Sequence, residues 1–346
     1  MRYKLLGRSG LRVSEICLGT MTFGTEYHWG STKEESQKVF QRYVESGGNF
    51  FDTANHYTKG TSEKMLGEFI GSDRDKFVIA TKYTLSENPK DPNAGGNHRK
   101  NMQQALHASL KRLNTDYVDL YWIHAWDFMT PVDELMRALD DMVRAGKILY
   151  VGISNTPAWV ISQANTLADL KGWTPFAALQ LQYSLIERNI EMEFIPMAKS
   201  LDLAITAWSP LGMGVLTGKY LQGSSSSNRF TINPGMGKSF VNEHSRKIAE
   251  VVSSVAERIG RKPAQVALKW LLQQKGIVIP IVGASTVSQL EENLGCLDFT
   301  LSEDHMKELS EASAISYVYP YNFLEQEDIK RMVHGENYAL IDNHRI

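Results

Sequence analysis

Cysteine is nearly missing from this chain: Cys17 and Cys296 are the only two in 346 residues. Two distant cysteines build neither a disulfide framework nor the paired thiolates of a zinc site, so no metal is expected and a reducing cytoplasm is the simplest home. No uninterrupted apolar run approaches the roughly 20 residues that a bilayer requires. The segment Met1–Gly7 lacks the apolar core of a signal peptide. Charge of one sign is lacking too. A formal net charge of −2 gives no electrostatic pull toward nucleic acid or an anionic membrane, so neither is expected as a partner. A Gly-x-Gly-x-x-Gly turn after the first strand candidate is also absent, which argues against the doubly wound dinucleotide-binding sheet.

What is present describes an ordinary globular chain, 42% hydrophobic and 22% charged, long enough for a large core. Short runs rich in Val, Ile, Phe and Tyr recur at Glu15–Thr20, Phe50–Ala54, Phe77–Lys82, Val118–His124, Ile148–Ser154, Phe176–Tyr183, Ala204–Ser209 and Ile277–Gly283. Between them lie amphipathic stretches such as Glu34–Ser46, Arg99–Leu113, Pro131–Ala145, Pro157–Leu170 and Ile190–Ser200, several opened by Ser, Thr or Pro. Eight strand candidates alternating with helices predict an α/β fold, a (β/α)8 TIM barrel. The expected organisation is a single domain over residues 1–346, with the barrel over about 14–300 and a C-terminal tail over about 301–346. A long loop between strands seven and eight contains Gly223–Asn228 and Asn233–Gly237 and reads as a candidate lid. The tail, with Tyr317, Tyr319, Tyr321 and Phe323, either caps the mouth or covers the barrel's outside.

Active sites of such barrels sit at the C-terminal ends of the strands. The second strand candidate carries Asp52, with Tyr57 beyond it; the third ends at Lys82 and the fourth at His124. Carbonyl reduction needs a hydride donor and an acid to protonate the developing alkoxide, and a tyrosine is a poor acid unless its anion is stabilised. Lys82 can lower the Tyr57 pKa, Asp52 can hold Lys82 charged, and His124 can orient the substrate oxygen. Taken singly, Asp52 with Lys82 reads equally as a structural ion pair and His124 as a core histidine.

The block Gly48–Tyr57 followed by Ser62–Gly67 resembles the aldo-keto reductases, and the resemblance continues through Ser109–Leu113, Asp116–His124, Gly146–Ile148 and Gly152–Asn155, covering roughly Tyr3 to Leu301. It implies a (β/α)8 barrel with a nicotinamide dinucleotide across its mouth, Tyr57 as acid, Lys82 and Asp52 as its support, and His124 orienting. It further implies that Ser154, Asn155 and Gln180 hold the carboxamide and that Trp208 stacks on the nicotinamide. Gly19, Thr20, Met21 and Asp52 join the cofactor set, as do Ser209, Pro210, Leu211 and Gly212. The small residues of Leu211–Lys219 suit a pyrophosphate, with Lys219 as its cation. Gly283, Ser285, Gln289, Glu292 and Asn293 open the helix after strand eight and resemble the adenosine end of the family's site. For the substrate, a small-molecule carbonyl, Tyr27, Trp29, Tyr83, Trp126, Phe128 and the tail tyrosines would form an aromatic pocket.

Many members of the family carry Arg or Lys just after the Gly-Ala pair, where this chain has Ser285 and Thr286. NAD(H) therefore stays open beside NADP(H). Members resembling potassium-channel β subunits share the Gly-Ala-Ser pattern and add an arginine from the long loop, a place that Arg229 fills here. That likeness raises a second reading, a cofactor-binding regulatory subunit, against which stands His124, a position where channel-type relatives tend to have asparagine. A third reading makes Lys82 a Schiff-base nucleophile. Nothing in the sequence marks an interface, and a homo-oligomer is left open. Binding of the 2′-phosphate by Ser285 and Arg229 predicts that Arg229→Ala loses affinity for NADP(H). Titration of nicotinamide fluorescence checks it, and equal affinity of the unaltered protein for both cofactors would overturn it.

Overall fold

The computed structural model describes residues 1–221 and 240–342. The candidate lid segments Gly223–Asn228 and Asn233–Gly237, and Arg229 with them, lie outside the described residues. The strands are β1 (Tyr3–Leu5), β2 (Arg12–Ser14), β3 (Cys17–Gly19), β4 (Phe50–Asp52), β5 (Val78–Tyr83), β6 (Val118–Ile123), β7 (Ile148–Ser154), β8 (Phe176–Gln182), β9 (Ala204–Trp208) and β10 (Val278–Val282). Strands β3 to β10 close into a parallel barrel in chain order, with β10 pairing back onto β3. All eight strand candidates of the sequence are these barrel strands.

Helices α1 (Lys33–Glu45), α2 (Thr61–Ile70), α3 (Arg99–Leu113), α4 (Val132–Arg144), α5 (Ala158–Lys171), α6 (Phe194–Ser200), α7 (Glu243–Arg258), α8 (Pro263–Leu272) and α9 (Val287–Leu294) surround the barrel. The sequence run Ile190–Ser200 is not one helix. Pro196 has no N–H to donate back along a helix begun at Ile190, so α6 starts at Phe194 and the proline falls in its first turn. Among the described residues, no helix is long and apolar enough to cross a membrane.

Successive side chains along a strand point to opposite faces, and this period of two decides what enters the barrel. Phe50, Val78, Ala80, Leu120, Trp122, Ala178, Ala204 and Ile279 fill the interior. Their neighbours Phe51, Ile79, Tyr121, Ile123, Leu179 and Ile205 face the helices. The inward parity continues to the strand ends and brings Asp52, Lys82, Gln180 and Trp208 to the mouth.

The opposite end is closed by the antiparallel hairpin β1–β2, which the sequence reading leaves unassigned because three-residue strands are too short to show alternation. Leu6 and Val13 join the interior cluster, while Lys4 Nζ donates to the Val278 carbonyl at 2.6 Å. The motif residues Glu63 and Gly67 find a structural role in the helix layer. Glu63, fully buried, accepts from Thr81 Oγ1 and Arg112 Nε, each at 2.5 Å. A side chain at Gly67 would strike the Leu113 backbone, so the glycine lets α2 and α3 approach.

After the barrel, α10 (Glu303–Ala312) packs on α7. Arg188 anchors its end by donating to the Ser310 carbonyl at 2.7 Å and to Ser313 Oγ at 2.9 Å. The tail helices α11 (Tyr321–Leu324) and α12 (Glu327–His334) bury no residue.

Gly152 on β7 faces the Trp122 ring, which occupies the space a Cβ would need. Both positions are fixed by the barrel, so Gly152→Ala should destabilise by about 1–3 kcal/mol and lower the thermal midpoint by several degrees. An unchanged melting curve would contradict this packing.

Candidate active site

Three hydrogen bonds use all three protons of the Lys82 ammonium at the barrel mouth. Nζ donates to Asp52 Oδ2 at 2.5 Å, to the Thr53 carbonyl at 2.7 Å and to the Tyr57 hydroxyl at 3.1 Å. Lys82 is fully buried and Asp52 nearly so. The second carboxylate oxygen of Asp52 accepts from Gln180 Nε2 at 2.8 Å, so neither oxygen is left bare. Tyr57 reaches Lys82 from a loop rather than a strand. The turn behind it holds Thr58 and Lys59 in left-handed backbone, at φ 45° and 54°, a costly conformation for a β-branched threonine. Thr58 Oγ1 holds the turn by donating to the Phe23 carbonyl at 2.8 Å and accepting from Ser62 N at 3.0 Å. The His124 ring meets the Tyr57 ring edge-on, with centroids 6.0 Å apart.

Burial dominates the acid-base character of this group. It raises the Tyr57 hydroxyl above the ordinary tyrosine range, and the pull of Lys82 in the other direction does not overcome it. Lys82 thus acts in the direction read from the sequence, but loss of hydration outweighs the neighbouring cation and the net shift is upward. For Lys82, burial works against the charge, but Asp52 and then Tyr57 more than compensate and hold it above the usual lysine value. His124 is pushed down to about 3 by burial, with Lys82 and His56 adding repulsion. At neutral pH the site thus holds a charged ammonium, a protonated phenol and a neutral imidazole.

A cavity of about 790 Å³ runs from Asp52, Tyr57 and His124 along Asn155, Gln180 and Trp208 to Gly283, Ser285, Gln289, Glu292 and Asn293. That size suits a cofactor-sized ligand. Gly19, Met21, Ser209, Pro210, Leu211 and Lys219 line it as well. The backbone after β9 turns through positive φ at Ser209, Gly212, Met213 and Gly214. A Cβ on Gly214 would meet Lys219 Cε and Nζ at 2.8 Å, so the bare glycine lets the cation fold over this turn. Asn155 Nδ2 donates to the His124 carbonyl and Gln180 Nε2 to Asp52, each at 2.8 Å, leaving the two amide oxygens for other donors. Buried Trp208 Nε1 and His124 Nδ1 have no hydrogen-bond partner among the described residues. An elongated molecule with a planar ring, an amide and phosphates fits this set: aromatic and amide groups at one end, small residues and a cation in the middle, and polar side chains beyond.

Several sequence candidates sit elsewhere. Tyr83 follows inward-facing Lys82 and by strand parity faces the helix layer, where it stacks on Tyr121 at 5.2 Å and donates to the Asn97 carbonyl; it is no pocket residue. Trp126 packs against the helix-side core rather than lining the cavity, and Phe128, 73% exposed, does not line it either. Ser154 Oγ donates to the Gln180 carbonyl at 2.7 Å and is shut off from the cavity. Thr20 lies beneath it, with Oγ1 donating to the Asp52 carbonyl, and Gly212 only shapes the turn. No lining residue comes from 301–342, so the described tail does not cap this cavity, and of its helices α10 packs on the outer layer. Tyr27 and Trp29 do line the cavity, stacked on each other at 5.4 Å. The sequence reading missed Thr22, His56, Leu85, Ala264, Ile281, Val282 and Ser288. All but Ala264, on α8, lie within a few residues of a strand end or of a named motif, the signal that could have flagged them.

The model of the aldo/keto reductase family matches residues 15–314. The chain is 38% identical to norsolorinic acid reductase stcV of Emericella nidulans, over 91% of this chain and 82% of that protein. It is 36% identical to an aryl-alcohol dehydrogenase [NADP(+)] of Phanerodontia chrysosporium, over 90% and 86% of the two chains. It is 35% identical to the uncharacterized oxidoreductase YrpG of Bacillus subtilis, over 90% and 95%. A closed parallel barrel, an Asp-Lys-Tyr-His cluster built on a buried ion pair at its mouth and this family match lead to one conclusion: the chain belongs to the aldo/keto reductase family, oxidoreductases of carbonyl and alcohol groups.

Proposed function

We propose that this chain is an NADP(H)-dependent reductase of aromatic aldehydes or ketones, with Tyr57 as the proton donor. The observation that carries the reading is the Lys82 ammonium bonded at once to Asp52, the Thr53 carbonyl and the Tyr57 hydroxyl on the cavity wall. When bound, the nicotinamide supplies the hydride. Trp208 offers it a ring face, and the free amide oxygens of Asn155 and Gln180 suit the carboxamide NH2. Lys219 and the turn before it suit the pyrophosphate. Preference for NADP(H) is supported by the cofactor in the aryl-alcohol dehydrogenase's name, and the aromatic substrate by that name together with the Tyr27–Trp29 stack on the cavity wall.

In this mechanism the substrate oxygen lies between Tyr57 and His124. Neutral His124 orients it without adding a second cation beside Lys82. As negative charge develops on that oxygen, Tyr57 transfers its hydroxyl proton, and the phenolate left behind is stabilised by Lys82. A Schiff-base role for Lys82 does not fit, since its three protons are engaged and its charge is favoured.

Tyr57→Phe should lower kcat for carbonyl reduction by about 10²–10⁴-fold while leaving the Kd for NADPH within about twofold. Steady-state kinetics and fluorescence titration measure the two, and retained turnover would defeat the mechanism. A turnover-competent wild-type protein also separates an enzyme from a regulatory subunit. Because Tyr57 and Lys82 are raised and His124 is lowered to about 3, none of these three groups changes charge in the neutral range. The rate of the hydride-transfer step in reduction should therefore be flat across roughly pH 5–9 and fall only above it, as Tyr57 loses its proton. A single-turnover profile with a midpoint near neutrality that vanishes in His124→Ala would contradict the neutral imidazole.

A further inference from the structure

His124 poses a positioning problem that its own ring does not solve. Its buried Nδ1 has no hydrogen-bond partner among the described residues, so none of them fixes the ring through that nitrogen. Direction must come from the backbone that carries it. The His124 N–H donates to the Tyr83 carbonyl at 3.1 Å, and the His124 carbonyl accepts from Asn155 Nδ2 at 2.8 Å. The next residues are held from the other side by Asn97, a fully buried side chain on the loop after β5.

Asn97 uses its whole amide. Nδ2 donates to the Ala125 carbonyl at 2.9 Å and to Thr84 Oγ1 at 3.0 Å, while Oδ1 accepts from the Asp127 N–H at 2.8 Å. Asp127 returns the bond: its Oδ2 accepts from the Asn97 N–H at 2.7 Å and from Thr130 Oγ1 at 2.7 Å. Its Oδ1 takes the N–H groups of Met129 and Thr130, both at 2.9 Å. Two asparagines from neighbouring loops thus clasp the backbone from His124 to Asp127. Through Thr84, at φ 108°, Asn97 also ties down the start of its own loop where it leaves β5.

We propose that Asn97, locked by Asp127, is a positioning residue that sets the direction of the His124 ring toward the substrate oxygen. The inference rests on His124 orienting that oxygen, as proposed above. A loop amide of this kind acts on the rate through geometry alone, and misplacement by a fraction of an ångström to an ångström is costly in a preorganised site.

The test is a double-mutant cycle on the full-length protein, with single-turnover reduction of an aromatic aldehyde followed by NADPH absorbance. Asn97→Ala should slow the step about tenfold with the Kd for NADPH unchanged. In a His124→Ala background the same substitution should have no further effect, since the group it positions is gone. An equal loss in both backgrounds marks a merely structural asparagine and overturns the proposal, as does no loss beside an intact His124. If His124→Ala alone keeps full rate, the proposed role of His124 fails first and the positioning role with it, and that single variant tells the two failures apart. Should Asn97→Ala not fold, the near-isosteric Asp127→Asn, which breaks the lock from its other half, must show the same dependence on His124.

Discussion

Everything at the mouth of this barrel depends on keeping one ammonium charged where there is no water to hydrate it. Lys82 and Asp52 have side chains 0% and 3% exposed. Burying two such ions costs several kcal/mol each unless every hydrogen-bonding group is matched. The match is complete on the lysine, and the carboxylate is shared between Lys82 and Gln180. Strand β8 stands four places from β4 around an eight-stranded ring, on the opposite wall. The Gln180–Asp52 bond therefore crosses the lumen, and only a closed barrel can make it. The polar plate formed in this way seals the top of the interior, as Leu6 and Val13 seal the bottom.

Strand parity decides how much of this could be read in the sequence. Alternation along β4 and β5 puts Asp52 and Lys82 inward with Phe50 and Ala80, so two members of the cluster are legible from the pattern alone. The same rule, carried one residue further, excludes Tyr83 from the cavity. Choosing it for its aromatic ring gave weight to residue type where position decides. Trp126 and Phe128 went astray for a related reason: loop aromatics carry no parity, and nothing in their spacing says whether they turn toward the cavity or away from it.

Other features leave no trace in side-chain chemistry. The partners that complete the Lys82 site include a backbone carbonyl, Thr53, and a glutamine some 128 residues away in sequence. Neither can be inferred from local pattern. The left-handed turns at Thr58, Ser209 and Met213 occur at residues that seldom adopt them, so the backbone path of the loops that seat Tyr57 and follow β9 was hidden even where their residues were named. The hairpin that closes the barrel floor was hidden by its brevity. Position-by-position likeness to a family recovered most of the cavity's length, yet it could not distinguish Asn155, which faces the cavity, from Ser154, whose hydroxyl turns back to the Gln180 carbonyl.

The same ammonium acts on two neighbours with opposite needs. Burial alone would make both Tyr57 and His124 neutral, and Lys82 modifies each in turn. It adds to the forces that keep the imidazole uncharged, while it favours the phenolate form of Tyr57. Burial still wins in the resting site, so in the proposed mechanism the phenol stays protonated until charge appears on a substrate oxygen beside it. A proton held this firmly passes only to a base stronger than the phenolate, and an alkoxide is such a base. In that mechanism, placing the cation under the tyrosine rather than against the substrate reserves its stabilisation for the moment after the proton has moved.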